Sequence, residues 1–201
     1  MTPTAVTARS VSEAELLYAA ARHHRVEVVD GQLIITDIEA MHPIGGLHII
    51  VGENLHDILK PFARQNQLGY VFGDGLLYLL DKDDSGLKGA RVPDLSFIRK
   101  TNLRTAWDVQ RPYPGFPDLA VEIVSPGDEA EELSARVSDF LNAGTDEVWV
   151  IYPNRRELLR YRRDDNAIRR YQADDLLDAA PLFPGLVFAL DGLFTLPEEL
   201  T

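Results

Sequence analysis

The stretch DLAVEIV at residues 118–124 is a nearly continuous apolar run of β type with one acid, Glu122, inside it. Such a run reads as a buried strand, and EVWVIY (147–152) is a second of the same kind. VPDLSFI (92–98) reads as a third strand and carries another acid, Asp94. Between the first two lies GDEAEELSARVSDFLNAG (127–144), whose spacing predicts a helix. Its acids crowd the first turns, where the helix dipole favours negative charge, and Gly144 follows its end. A chain with these segments must place strands at its centre and cover them with helices.

The flanking segments agree. Ser12 and Glu15 have the spacing of a capping box, which starts a short helix running to about His24. VEVV, Asp30-Gly31 and QLIIT form a strong hairpin signal, because Asp-Gly supplies the positive φ angles of a tight turn. Leu47, Ile50, Val51, Leu55, Ile58, Leu59 and Phe62 recur with helical spacing over 44–66. GYVFGDGLLYLLD is strand-like but broken by glycines, 81–89 reads as a polar loop, and 101–117 as a Pro- and Gly-rich surface loop. LLRYRR and AIRRYQ suggest a last hairpin across residues 164–166. The expected fold is α+β or α/β: a mixed sheet flanked by helices, preceded by an N-terminal helix and hairpin. The 201 residues suit one domain over 12–201, with 1–11 as a loose lead-in.

Composition narrows the function classes. With 32 acidic and 20 basic side chains the formal net charge is −12. A protein that coats nucleic acid usually presents a basic surface, so that class is disfavoured, while a small local site remains compatible with the total. The chain has no cysteine, which excludes disulfides, thiolate metal ligands and a cysteine nucleophile. No stretch approaches the ~18 apolar residues of a membrane helix. The N-terminus lacks the basic-then-apolar pattern of a signal peptide, so a cytoplasmic location is expected.

The acids inside strands carry the chemistry. A carboxylate in a buried strand costs several kcal/mol unless it is paired or holds a metal. Asp94 and Glu122 on neighbouring central strands can converge at one end of a sheet. Two carboxylates, completed by water and a substrate phosphate, are an ordinary Mg²⁺ (or Mn²⁺) site. The alternative is that each acid pairs with an arginine.

Taken together, RVPDLSFI, PDLAVEIVSPGD, a helix ending in FLNAG, and DEVWVIYP resemble the Uma2 family, a bacterial branch of the PD-(D/E)XK restriction endonuclease-like superfamily. VEVVDGQLIITD followed by a histidine-bearing helix matches the family's N-terminal pattern, so the resemblance runs from about residue 12 to 190. It implies a Mg²⁺-dependent endonuclease hydrolysing DNA phosphodiester bonds. Asp94 would be the proline-aspartate carboxylate, Glu122 the second metal-binding carboxylate, and the Ile123 carbonyl a third metal-facing group. Asp118 would only start the strand.

The superfamily's lysine, two residues after the second acid, is Val124 here. In Uma2-like chains the lysine stands on the following helix, eight residues before its closing glycine, and that position is Arg136. Arginine stays protonated, so it cannot act as a base, but it can orient a phosphate or stabilise a charged transition state. Alternatively it pairs with Glu132 or Asp139 along its own helix. Glu27 matches the family's first-strand acid, reading either as a helper in the cleft or as a solvent-facing hairpin residue. His48 matches the histidine of the long helix and could contact phosphate. His42 and His56 read as loop and helix surface, and His23 and His24 as the end of the first helix.

The late hairpin gathers Arg155, Arg156, Arg160, Arg162, Arg163, Arg169 and Arg170. These form either a phosphate-binding strip, with Arg160 and Arg162 as substrate contacts, or a solvated face paired with nearby acids. Trp107 and Trp149 read as packing residues. Three activities stay open: a metal-dependent nuclease, a degenerate nuclease fold that binds nucleic acid or a protein partner, and a metal-free carboxylate-pair hydrolase. A homodimer is expected for a nuclease that cuts two strands.

Overall fold

The computed structural model describes residues 10–23, 25–36 and 45–200, so the readings of His24 and His42 lie outside the described residues. In chain order the elements are α1 (Glu13–Ala20), β1 (Arg25–Val29), β2 (Gln32–Thr36), α2 (Gly46–Gln65), β3 (Gly69–Phe72), β4 (Tyr78–Asp83), β5 (Gly86–Arg91) and β6 (Leu95–Arg99). They continue with β7 (Leu119–Ile123), α3 (Ala130–Ala143), β8 (Glu147–Tyr152), β9 (Glu157–Arg162), β10 (Asp165–Gln172), β11 (Leu176–Asp178) and β12 (Val187–Ala189).

The apolar runs do occupy the centre. A six-stranded sheet has the order β10-β9-β8-β7-β6-β3. It is mixed: β7 and β8 run parallel, joined through α3, and the other pairs are antiparallel. Period-two alternation divides β7 between two cores. Leu119, Val121 and Ile123 join Val51, Leu55 and Leu59 of α2, while Ala120 joins Val137 and Phe140 of α3. Glu122 shares the parity of Ala120 and therefore belongs to the α3 side. On α3, Leu133, Val137 and Phe140 follow helical spacing, which puts Arg136 on the face turned to the sheet.

The sheet is not alone. A second, antiparallel sheet has the order β2-β1-β5-β4, with α1 packed on it through Leu16 and Ala19 against Val26, Val28 and Leu87. Several expectations are corrected here. The polar 81–89 stretch is the tip of the β4–β5 hairpin, where Asp83 turns the chain by accepting from the Ser85 backbone N–H and hydroxyl. Helix α1 closes at Ala20, so His23 lies beyond its end. Residues 1–9 of the expected lead-in lie outside the described residues, and Val11 bridges to Leu87 of β5. The capping box is present, with Ser12 and Glu15 satisfying each other's backbone N–H. No helix among the described residues is long and apolar enough to cross a membrane.

Candidate active site

Residues 92–94 carry the chain from the small sheet to the large one, and the cluster forms around that crossing. Proline cannot donate a backbone hydrogen bond, and the β6–β7 ladder stops two residues past Pro93, at Leu95 opposite Val121. Asp94 is thus not inside the strand, as the sequence suggests, but immediately before it. Its carboxylate takes the next backbone donor of the neighbouring strand, the N–H of Ile123, at 2.6 Å. That bond fixes Asp94 beside Glu122.

Both acids line one cavity of about 450 Å³, together with Arg25, Glu27, His48, Ile123, Ser125 and Arg136. Burial pushes the Glu122 carboxyl up to about 8; Arg136 works against that rise, and the Asp94 charge adds to it. Burial also raises Asp94, opposed by Arg25 and His48. Arg136 reaches across from α3, with Nη2 3.0 Å from Glu122 Oε2 and 3.7 Å from Glu27 Oε1. Desolvation weakens its charge, but Glu122 and Glu27 more than compensate and hold it protonated. The pairing with Glu132 or Asp139 open from the sequence is therefore not the one formed.

Glu27 is buried, which removes the reading as a solvent-facing hairpin residue. Strand β1 is covered on both sides, by α1 over Val26 and Val28 and by the cavity over Glu27. Glu27 accepts from the Val92 N–H at 3.0 Å and from Arg91 Nη1 at 3.1 Å. Burial would raise its pKa, yet Arg136, Arg25 and Arg91 together bring it below the usual carboxylate range. All three nitrogens of the Arg91 guanidinium are engaged, the other two by Asp139. His48 stands with Nε2 3.8 Å from Asp94 Oδ1 and Nδ1 3.2 Å from the Ser125 hydroxyl.

Arg25 was missed by sequence reasoning. It lies 3.8 Å from Asp94 and 3.6 Å from Glu27, and it donates to the Val92 carbonyl, which Arg136 also approaches at 3.3 Å. The available signal was its position two residues before Glu27 on one strand, which puts both on the same face.

The structure does not bring Arg160 or Arg162 to this cavity. Arg160 is buried on β9, bound to both Glu147 oxygens at 2.9 and 2.6 Å and to the Asp178 and Ala180 carbonyls. Arg162 pairs with Asp164 at 2.9 Å. The rest of the arginine strip is likewise spent on acids, with Arg163 on Asp146 and Arg170 on Glu157. Trp149 is fully buried, and Trp107 packs edge-on against Tyr113. Asp118 is held by Arg99 and Asn102, as suits a strand-start residue.

Among the described residues no group of three or more His, Cys, Asp or Glu side chains is close enough to hold a metal. The donor set fits a hard divalent cation in a different way. Glu122 Oε1 is buried without a hydrogen-bond partner, and Asp94 Oδ1 has only 3.8 Å contacts. A small divalent cation asks little more than one or two carboxylates, with water and phosphate oxygens completing its shell.

A mixed sheet between helices with a Pro-Asp and a strand glutamate converging at one end defines a restriction endonuclease-like protein class. The sequence model described as "Uma2: Putative restriction endonuclease" matches residues 11–191, and the chain belongs to that family. A solved structure from Anabaena variabilis ATCC 29413, titled a putative nuclease belonging to DUF820, is similar in fold. The TM-score is 0.71 at 17% identity, covering 92% of this chain and 97% of that one. No curated protein matches the chain.

Proposed function

We propose that this protein is a divalent-metal-dependent endonuclease acting on DNA, with Asp94, Glu122 and the Ile123 carbonyl as its metal-facing groups. The observation that carries this reading is the unpartnered Glu122 Oε1, buried in the same cavity as Asp94 and beside a guanidinium. Restriction endonuclease-like families usually use divalent metals, and Mg²⁺ or Mn²⁺ is the ion proposed.

A bound ion would supply Lewis-acid stabilisation of the phosphate and a more acidic water. The side chains divide the remaining work. Asp94 is oriented by the Ile123 N–H, so its other oxygen stays turned to the cavity. Arg136, always protonated, stabilises negative charge on the phosphate and leaves proton abstraction to other groups. Glu27, locked by Arg91 and the Val92 N–H, holds Arg136 and Arg25 toward the cavity. His48, tethered by Ser125, keeps a polar edge facing Asp94.

The test is nicking of plasmid DNA with Mg²⁺ or Mn²⁺. Cleavage is expected for the wild type and lost in Asp94→Ala and Glu122→Gln. Cleavage undiminished in both variants would remove this cavity from the mechanism. A second reading, a nuclease fold that binds without cutting, is favoured by one observation: guanidiniums already stand against Asp94, Glu27 and Glu122. It predicts no turnover by the wild type with any ion, and activity gained in Arg136→Lys.

A further inference from the structure

The Glu122–Arg136 pair is only half satisfied on each side. Glu122 uses Oε2 and leaves Oε1 buried and unpartnered, while Arg136 uses Nη2 and leaves Nε buried and unpartnered. The same holds for Arg25, whose Nε is also buried with no partner although its Nη atoms face Asp94, Glu27 and the Val92 carbonyl. Buried polar atoms are almost always paired, so each orphan calls for an explanation. The orphans are of two kinds: one carboxylate oxygen that wants a cation, and two guanidinium N–H groups that want an anionic acceptor. Both guanidiniums converge on one peptide group, the carbonyl of Val92.

We infer that Arg25 and Arg136 form a two-armed clamp for a single phosphate group, held back by the acids until a divalent cation takes the Glu122 carboxylate. The inference rests on the nuclease reading for the identity of the phosphate, a nucleic-acid diester. Its physical content is an exchange of partners. Arg136 is the cation that stands 3.0 Å from Glu122. When a divalent cation takes that carboxyl group, displacing any proton on it, Arg136 is free to turn its fork to phosphate oxygens, which guanidinium geometry matches bidentately. Arg25 loses the pull of Asp94 in the same way. Arg91 takes no part, because its donors are already filled by Asp139 and Glu27. Cation and phosphate then bind with positive coupling, and the coupling is reciprocal.

The experiment uses Ca²⁺ and a short fluorescently labelled DNA duplex, read by anisotropy, with Ca²⁺ binding alone read by calorimetry. For the wild type, replacing EDTA with Ca²⁺ should tighten duplex binding about tenfold or more. Arg25→Gln should reduce that gain to less than about threefold while binding Ca²⁺ without DNA at least as tightly as the wild type, because Asp94 also loses a neighbouring cation. Arg136→Gln, freed of the resident cation, should bind Ca²⁺ alone more tightly than the wild type and lose the gain. Arg25→Lys keeps the charge and the fold but lacks the fork, and should also lose it. A full calcium gain in Arg25→Lys or Arg25→Gln, an unchanged Ca²⁺ affinity in Arg136→Gln, or no gain in the wild type would each overturn the clamp. Because binding is read without cleavage, a wild type that gains affinity in Ca²⁺ but never cuts in Mg²⁺ or Mn²⁺ sinks the nuclease reading and leaves the clamp standing.

Discussion

Replacing Glu122 by glutamine should make the protein more stable at alkaline pH. The carboxyl is pushed from 4.5 to about 8 by burial, against the pull of Arg136 and with Asp94 adding to the rise. Between those two values the folded chain holds a proton that the unfolded chain has lost. The folded state therefore binds more protons, and wild-type stability must fall as pH rises through that window, then level off above about 8. Each unit corresponds to about 1.4 kcal/mol, so a rise of about 3.5 units is worth on the order of 5 kcal/mol between pH 4.5 and pH 8. Glu122→Gln removes this titration and keeps the shape. Urea denaturation of both proteins across that range should show a stability difference that grows in favour of the variant as pH rises. A difference that stays flat from acid to alkaline pH would show that Glu122 is not the desolvated acid described, and the reasoning would fail.

Arg160→Gln should cost about 3–5 kcal/mol in urea denaturation, because it strands Glu147 in the core, yet leave DNA affinity per folded molecule unchanged. Gly144→Ala should lose at least about 1 kcal/mol: its φ is +118° and a Cβ would stand 2.6 Å from the Phe116 ring, which a melting curve will register. Ser125→Ala removes the hydroxyl 3.2 Å from His48 Nδ1. The ¹⁵N shifts of the His48 ring should move while the circular dichroism spectrum stays put, and unmoved shifts would mean the contact does not form in solution.

The strands and Glu122 were legible because burial imposes a pattern on sequence: apolar runs mark covered strands, and an acid within one stands out, as Asp94 also did although it lies just before its strand. What surrounds those acids was less legible, for identifiable reasons. Glu27 alternates with Val26 and Val28, a pattern that ordinarily means one wet face, but here the second face is covered by the cavity wall of another sheet. Arg25 and Arg91 look like surface charges until β1 and β5 are seen side by side. The reverse error befell Arg160. Other arginines crowd the same hairpin in sequence, whereas its partner, Glu147, lies across the β8–β9 pairing, where Trp149 faces Arg160 and Glu147 faces Arg162. Charge density along a chain says little about which charges are already spent. The 81–89 stretch was misread because a hairpin tip and a loop use the same polar residues.

The peptide group of Val92 gives the cluster a second character. Its N–H is bound by Glu27 of the small sheet, and its carbonyl receives Arg25 of that sheet and Arg136 of the helix behind the large one. The groups proposed for chemistry are therefore also the rivets between the two sheets. A ligand that rearranges these charges would also be felt as a force on the seam between the sheets. Conversely, a substitution far from the cavity that lets one sheet slide on the other would detune the acids without touching them.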